Sequence, residues 1–198
     1  MDRLVTVKEH PDFPRLLEAM KVAAGRARPW AGAIFRSAPP KWATGREMLT
    51  GIGSMKSGAR FNAPGSFPAI YGSTTPELAM IESLAYQRRA NLPLERAMPL
   101  VFKAISVDVE RRLDLTDAAV LAYVGLTLDQ IRTETWWLAR ALGEESLTQA
   151  IGRAAHACGI QSLLAASAHA LDQGVNVIVL PDHLNPPSRV AVLRRAAK

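Results

Sequence analysis

Residues 58–89 read GARFNAPGSFPAIYGSTTPELAMIESLAYQRR, and the way this stretch folds decides how the rest of the chain is arranged around it. Its order is a short strand, a Pro/Gly turn, a second strand and a capped helix. Thr74 and Glu77 fit a capping box, while Thr75 and Pro76 fit an N-cap followed by proline at the first helical position. Leu78, Ile81, Ala85 and Tyr86 recur at spacings of three and four, which predicts the core-facing stripe of that helix. Glu82 falls on the same stripe. A carboxylate there is costly to desolvate unless it is paired or lines a cavity. Arg60 and Tyr71 fall on the two strands feeding the helix, so Arg60, Tyr71 and Glu82 are the first catalytic candidates. The pattern equally describes a structural Arg–Glu pair holding helix to sheet, and the residues alone leave both readings open.

Before this unit, Phe13, Leu16, Leu17 and Met20 give residues 11–24 a helical period, stopped at Gly25. Ala33–Arg36 reads as a strand that places Arg36 at its end, just before a Pro-Pro loop. Residues 37–57 are irregular and polar, the composition of a lid or binding loop or else of plain disorder. After the unit, Leu100–Val109 alternates as a strand. Three helices follow: Asp117–Val124 ending at Gly125, Thr127–Leu142 opened by Thr127/Gln130, and Ser146–Cys158 opened by Ser146/Gln149. Leu128, Ile131, Thr135, Leu138 and Leu142 form the internal stripe of the second. Trp136 and Trp137 cannot both share it, so one of them is expected at an edge or an oligomer contact, and core packing is preferred over function for both. Ile160–Leu164 and Val175–Leu180 are short apolar strands. Strands at both ends with helices between predict an α+β fold, with a mixed sheet whose terminal segments pair across it.

At 198 residues, with 48% apolar and 21% charged residues, the chain suits one globular domain. No apolar run is long enough to span a bilayer, MDRLVTVKEHPDF lacks the apolar core of a secretory signal, and one cysteine allows no internal disulfide. The cytoplasm is the expected compartment, with no membrane contact. Residues 1–60 hold eleven Lys/Arg against five Asp/Glu, a balance that favours an anionic substrate. Residues 183–198 hold four basic residues and no acidic one, the pattern of a solvated basic tail. No helix-turn-helix, zinc-finger or aromatic RNA-binding signature accompanies the charge, so no direct nucleic-acid contact is expected; a non-enzymatic basic nucleic-acid-binding module is the weakest of the readings. His10, His156, His169 and His183 show no HExxH and no close pairing, so no metal site is expected. Cys158 reads as a small core residue. GxGxxG, P-loop and GxSxG patterns are absent from the sequence.

With Arg36, Arg60, Tyr71, Glu82 and a late serine in hand, the chain resembles the RES-domain family, toxins of bacterial RES–Xre toxin–antitoxin systems. The likeness runs from about Ile34 to Asp182. GARFNAPG, then Tyr71, then Glu82 is similar to the family's G-G-R-W-N-x-x-G…Y…E block, with eleven-residue steps from Arg60 to Tyr71 and from Tyr71 to Glu82. Ser167 stands in the place of the family serine, and Gly174-Val175-Asn176 resembles the following Gly-x-Asn. Phe61 replaces the usual Trp, and Ala165-Ala166 precedes the serine where a Tyr-Pro pair is common. The resemblance implies a single RES domain, with a motif-bearing core of about 33–182, a helical cover over 1–32 and the basic tail. It also implies an ADP-ribosyltransferase-like fold that acts on NAD+ as a substrate and needs no separate cofactor.

In that reading Glu82 stabilises the oxocarbenium-like ribose, and Arg36 and Arg60 bind the pyrophosphate. Tyr71 stacks on nicotinamide or orients the ribose; Ser167, together with Asn176, belongs to the same binding set. Cleavage of the nicotinamide–ribose bond by hydrolysis or phosphorolysis is the expected reaction, with mono-ADP-ribosylation of a protein as the alternative. A delivered effector would use the same chemistry. An Xre-type antitoxin is the implied partner, and a homodimer or a toxin–antitoxin hetero-oligomer the implied assembly.

Overall fold

The computed structural model describes residues 7–193. In chain order the elements are α1 (Phe13–Ala23), β1 (Arg28–Ala38), α2 (Ile52–Ser57), β2 (Ile70–Ser73), α3 (Pro76–Ser83), α4 (Ala85–Arg89) and β3 (Val101–Asp114). They continue through α5 (Ala118–Val124), α6 (Leu128–Thr133), α7 (Trp136–Ala141), α8 (Leu147–Ala157), β4 (Ser162–Ala166), β5 (Val175–Val179) and β6 (Arg189–Val192). The strands run β1-β2-β5-β4-β3, and β3 pairs back onto β1, so the sheet closes on itself. β3 and β4 are parallel and the other pairings antiparallel, which makes the sheet mixed. The fold is α+β, as the order of apolar runs predicts.

Alternation along the strands divides the apolar residues between two cores. One is lined by Ile34, Ile70, Ile105, Val107, Leu164, Val177 and Val179, drawn from all five strands of the closed sheet. The other lies between the opposite strand faces, with Leu163, Ala165 and Ile178, and the helices, with Leu16, Met20, Val120, Leu121, Ile131 and Ile151. β2 and β5 pair from Ile70 opposite Val179 to Ser73 opposite Asn176, so an early and a late segment meet across the fold.

Local start signals survive into the structure. Thr127/Gln130 and Ser146/Gln149 both form complete capping boxes, and Asp117 caps α5. Thr75, rather than Thr74, caps α3 by accepting the Leu78 amide at 3.2 Å; the Thr74 hydroxyl instead accepts the Val175 amide at 3.0 Å.

Several expectations are corrected. The helix after Pro76 is not continuous: it steps off at Leu84, and Tyr86 is 58% exposed rather than core-facing. Ser83 explains the break, since its Oγ donates to the Ala79 carbonyl at 2.5 Å, a back-bond that bends helices. The expected helix Thr127–Leu142 is also two helices, because Glu134 leaves the helical path to bind the start of α8. Of its stripe, Ile131 is buried while Leu138 and Leu142 are exposed. The basic tail contains a strand: β6 pairs with β3, and Ser188 just before it is buried. The last part of that tail, residues 194–198, lies outside the described residues, as do residues 1–6 of the N-terminal stretch. His156 and His183, far apart in sequence, meet with ring centroids 4.4 Å apart and planes tilted by 53°. Cys158 is half-buried at the end of α8, where burial pushes its thiol pKa up.

Candidate active site

Arg60 does not lie on a strand. It sits in a tight turn closed by the Ala59–Asn62 bridge, and every side of that turn is held. Asn62 is fully buried; its amide donates to the Ser54 carbonyl at 2.9 Å and the Phe67 carbonyl at 3.2 Å. The Tyr71 hydroxyl donates to Asn62 Oδ1 at 2.8 Å and accepts the Phe61 amide at 2.9 Å. From α8, Gln149 Nε2 donates to the Ala59 carbonyl at 2.9 Å. A Cβ at Gly152 of α8 would stand 1.8 Å from the Phe61 carbonyl oxygen, so the helix presses directly on the turn's backbone. Phe61 itself is buried in the helix-side core, which accommodates an aromatic at this position. The turn is thereby a rigid mount for one guanidinium.

Glu82 projects from α3 into a cleft of about 810 Å³, within the size range of small-molecule sites. Ser167 Oγ and Asn176 Nδ2 each donate to its Oε1 at 2.7 Å. Oε2 accepts no hydrogen bond among the described residues, so one oxygen is anchored and the other left for the cleft. Asn176 is held in turn by Ser73 Oγ, which donates to its Oδ1 at 2.8 Å. Ser167 is fully buried, and its hydroxyl also accepts the His169 and Ala170 amides at 2.9 and 3.1 Å. The structure therefore places Ser167 behind Glu82, out of the cleft lining, where it orients the carboxylate. Asn176 orients Glu82 and also lines the cleft.

Glu82 takes part in none of the ion pairs among the described residues, so the structural Arg–Glu pair does not form. Arg36 and Arg60 line the same cleft and are likewise absent from those ion pairs. β1 and β2 share a single bridge, Phe35 opposite Ser73, and Arg36 donates to the Tyr71 carbonyl at 3.0 Å. Arg60 donates to the Ile131 carbonyl. Each has a buried Nε with no partner. Desolvation pulls both guanidinium pKa values below their ordinary position; nearby Glu82, then Glu134, offsets this for Arg60. Two half-buried cations, each with a buried Nε and no ion-pair partner among the described residues, give the cleft an excess of positive charge.

Burial of Tyr71 pushes its hydroxyl pKa well above the usual tyrosine range, so it is no proton carrier near neutral pH. A raised folded-state pKa contributes stability that is complete below the unfolded value of about 10 and is lost as pH climbs past it. Tyr71→Phe is expected to lower stability near neutrality and to remove this part of the alkaline loss. Urea unfolding at pH values of about 8 and 11 measures both effects; an unchanged alkaline slope would count against a sealed hydroxyl.

The opposite wall of the cleft went unread in the sequence. Glu134 lines it while its carboxylate accepts the Leu147 and Thr148 amides at 2.5 and 2.7 Å, at the start of α8. Trp136 and Trp137 also line the cleft, and neither belongs to the two cores formed among the described residues. The core-packing reading of both is corrected, and the reason is the chain break at Glu134, which turns α7 toward the cleft. A double Trp off the helical stripe was the one available signal.

Comparison with known proteins places the chain in a family. The RES domain family matches residues 33–195. NAD(+) phosphorylase MbcT from Mycobacterium tuberculosis and Mycobacterium bovis is 30% identical over 136 residues, covering 68% of this chain and 66% of the relative. The chain thus aligns with slightly under two thirds of those relatives' own length. In the solved M. tuberculosis MbcT–MbcA toxin–antitoxin complex, a chain superposes with a TM-score of 0.69 at 22% identity, covering 91% of this chain and 90% of the other. No helix among the described residues is long and apolar enough to cross a membrane. With the family matched over most of the chain and relatives at 30% identity over 68% of it, the chain belongs to the RES-domain family.

Proposed function

We propose that this chain is the toxin of a bacterial toxin–antitoxin pair and that it consumes NAD+ by breaking the nicotinamide–ribose bond. The observation that carries the reading is Glu82, with one oxygen fixed by Ser167 and Asn176 and the other free in a cleft that also holds two half-buried guanidiniums with no ion-pair partner among the described residues. The bonding pair of the C–N bond leaves with the nicotinamide nitrogen, which becomes neutral and needs no proton. Positive charge then develops on the ribose, and a prepositioned carboxylate stabilises it. Arg36 and Arg60 bind the dinucleotide's pyrophosphate by charge-assisted hydrogen bonds. The Tyr71 side chain contributes to the cleft wall, while its hydroxyl holds the Arg60 turn. An oxygen of inorganic phosphate attacks the ribose carbon, giving ADP-ribose 1-phosphate; water in its place gives ADP-ribose and releases a proton. Phosphate is favoured because the similar MbcT proteins are named NAD(+) phosphorylases.

Purified, antitoxin-free protein incubated with NAD+ should release nicotinamide, and faster with phosphate present than without it. No release in either buffer from folded protein would sink the reading. Acid-precipitable label from NAD+ carried on a protein would redirect it to ADP-ribosyl transfer. The toxin–antitoxin complex formed by MbcT supports a cognate antitoxin here, and we assign it the helical Xre type, with an acidic segment reaching Arg36 and Arg60. The toxin meets NAD+ in the cytoplasm.

A further inference from the structure

The geometry points to Trp137 and Arg89 as the subsite that holds the adenine-bearing end of the dinucleotide, an assignment that rests on the NAD+ reading above. Arg89 Cζ lies 4.1 Å above the Trp137 ring and 5.7 Å from the Tyr86 ring, and Trp136 meets Trp137 edge-on at 6.2 Å. All four side chains line the cleft that contains Glu82. Tyr86 is 58% exposed, and none of the three aromatics belongs to either core among the described residues. Arg89 and the neighbouring cleft residue Arg140 enter no ion pair there either. A layered indole and guanidinium offer a planar, cationic face on which a purine stacks.

Position favours the same end of the ligand. Tyr86 and Arg89 follow Glu82 by four and seven residues and lie on α4, past the break at Leu84, so they line the cleft away from the carboxylate. A base held there is remote from the bond that breaks. Its contacts are equal in ground and transition states, so they set KM rather than kcat.

The test measures binding of 5′-AMP by calorimetry, alongside steady-state turnover of NAD+ and of nicotinamide mononucleotide, which lacks the adenosine. AMP is expected to bind the wild-type protein in competition with NAD+. Trp137→Ala is expected to weaken AMP and raise KM for NAD+ by about tenfold, with kcat within about twofold. The KM for the mononucleotide should move by less than about twofold. Trp137→Phe keeps a planar ring and should recover most of the AMP affinity. Failure of the wild type to bind AMP, unchanged AMP affinity in Trp137→Ala, or a parallel fall in kcat for both substrates would overturn the assignment, the last marking a mere staple between α4 and α7. Protein that binds AMP through Trp137 yet releases no nicotinamide would keep the subsite and remove the catalytic reading. Normal NAD+ turnover with Trp137→Ala indistinguishable from wild type would do the reverse.

Discussion

Glu82→Gln is expected to fold normally and to release nicotinamide about 10²–10³-fold more slowly than the wild type. The substitution removes charge but little volume. The glutamine carbonyl still accepts from Ser167 and Asn176, which now donate to Oε1 at 2.7 Å, so the anchoring survives. What disappears is negative charge at the oxygen facing the cleft. If that charge stabilises a developing cation, the loss appears in kcat and amounts to roughly 3–4 kcal/mol of barrier. KM should move little, since the guanidiniums that hold the pyrophosphate are untouched. Near-normal kcat in this variant, with an unchanged melting temperature, would show that the carboxylate does not act on the reacting ribose.

Gly152→Ala is expected to be the most damaging single methyl in the molecule. Its Cβ would lie 1.8 Å from the Phe61 carbonyl oxygen and 2.7 Å from the Phe61 carbonyl carbon. Backbone cannot rotate away as a flexible side chain can, so either α8 retreats or the turn deforms. α8 packs on α1 and carries Ile151, Ala154 and Ala155 into the helix-side core, which opposes retreat. The turn is pinned by Asn62, Tyr71 and Gln149. Overpacking of this kind costs roughly 3 kcal/mol, about 10 °C in Tm for a chain of this size. Protein that still folds should bind NAD+ more weakly, because the strained turn is the mount of Arg60. Thermal unfolding and KM together check the claim; a Tm within about 2 °C of wild type would refute the close approach.

How much of this was legible beforehand varies with the range of the forces involved. The helix starts at Thr75-Pro76, Asp117, Thr127 and Ser146 were readable because a cap is a bond between residues two or three apart. The α+β class was readable because periodicity and chain order carry it. Glu82 was readable as an anomaly, an acid on an apolar stripe, and the family likeness picked out Arg36, Arg60, Tyr71, Ser167 and Asn176 as its company.

Their division of labour was not readable. Ser167 and Asn176 reach Glu82 from 85 and 94 positions away, and no local pattern says which of a serine, an asparagine and an arginine will take the carboxylate. Two helices expected to be continuous are broken by side chains with distant or competing partners, Ser83 and Glu134, and the second break moves two tryptophans from the expected core into the cleft. Sequence alone was enough for the fold class, for the caps at Thr75, Asp117, Thr127 and Ser146, and for singling out Glu82 as an acid out of place, since each depends on composition or near neighbours. Tertiary structure decided that the acid is anchored rather than ion-paired, that Arg60 rides a clamped turn, and what forms the far wall, since each depends on which remote backbone groups compete for the same side chain.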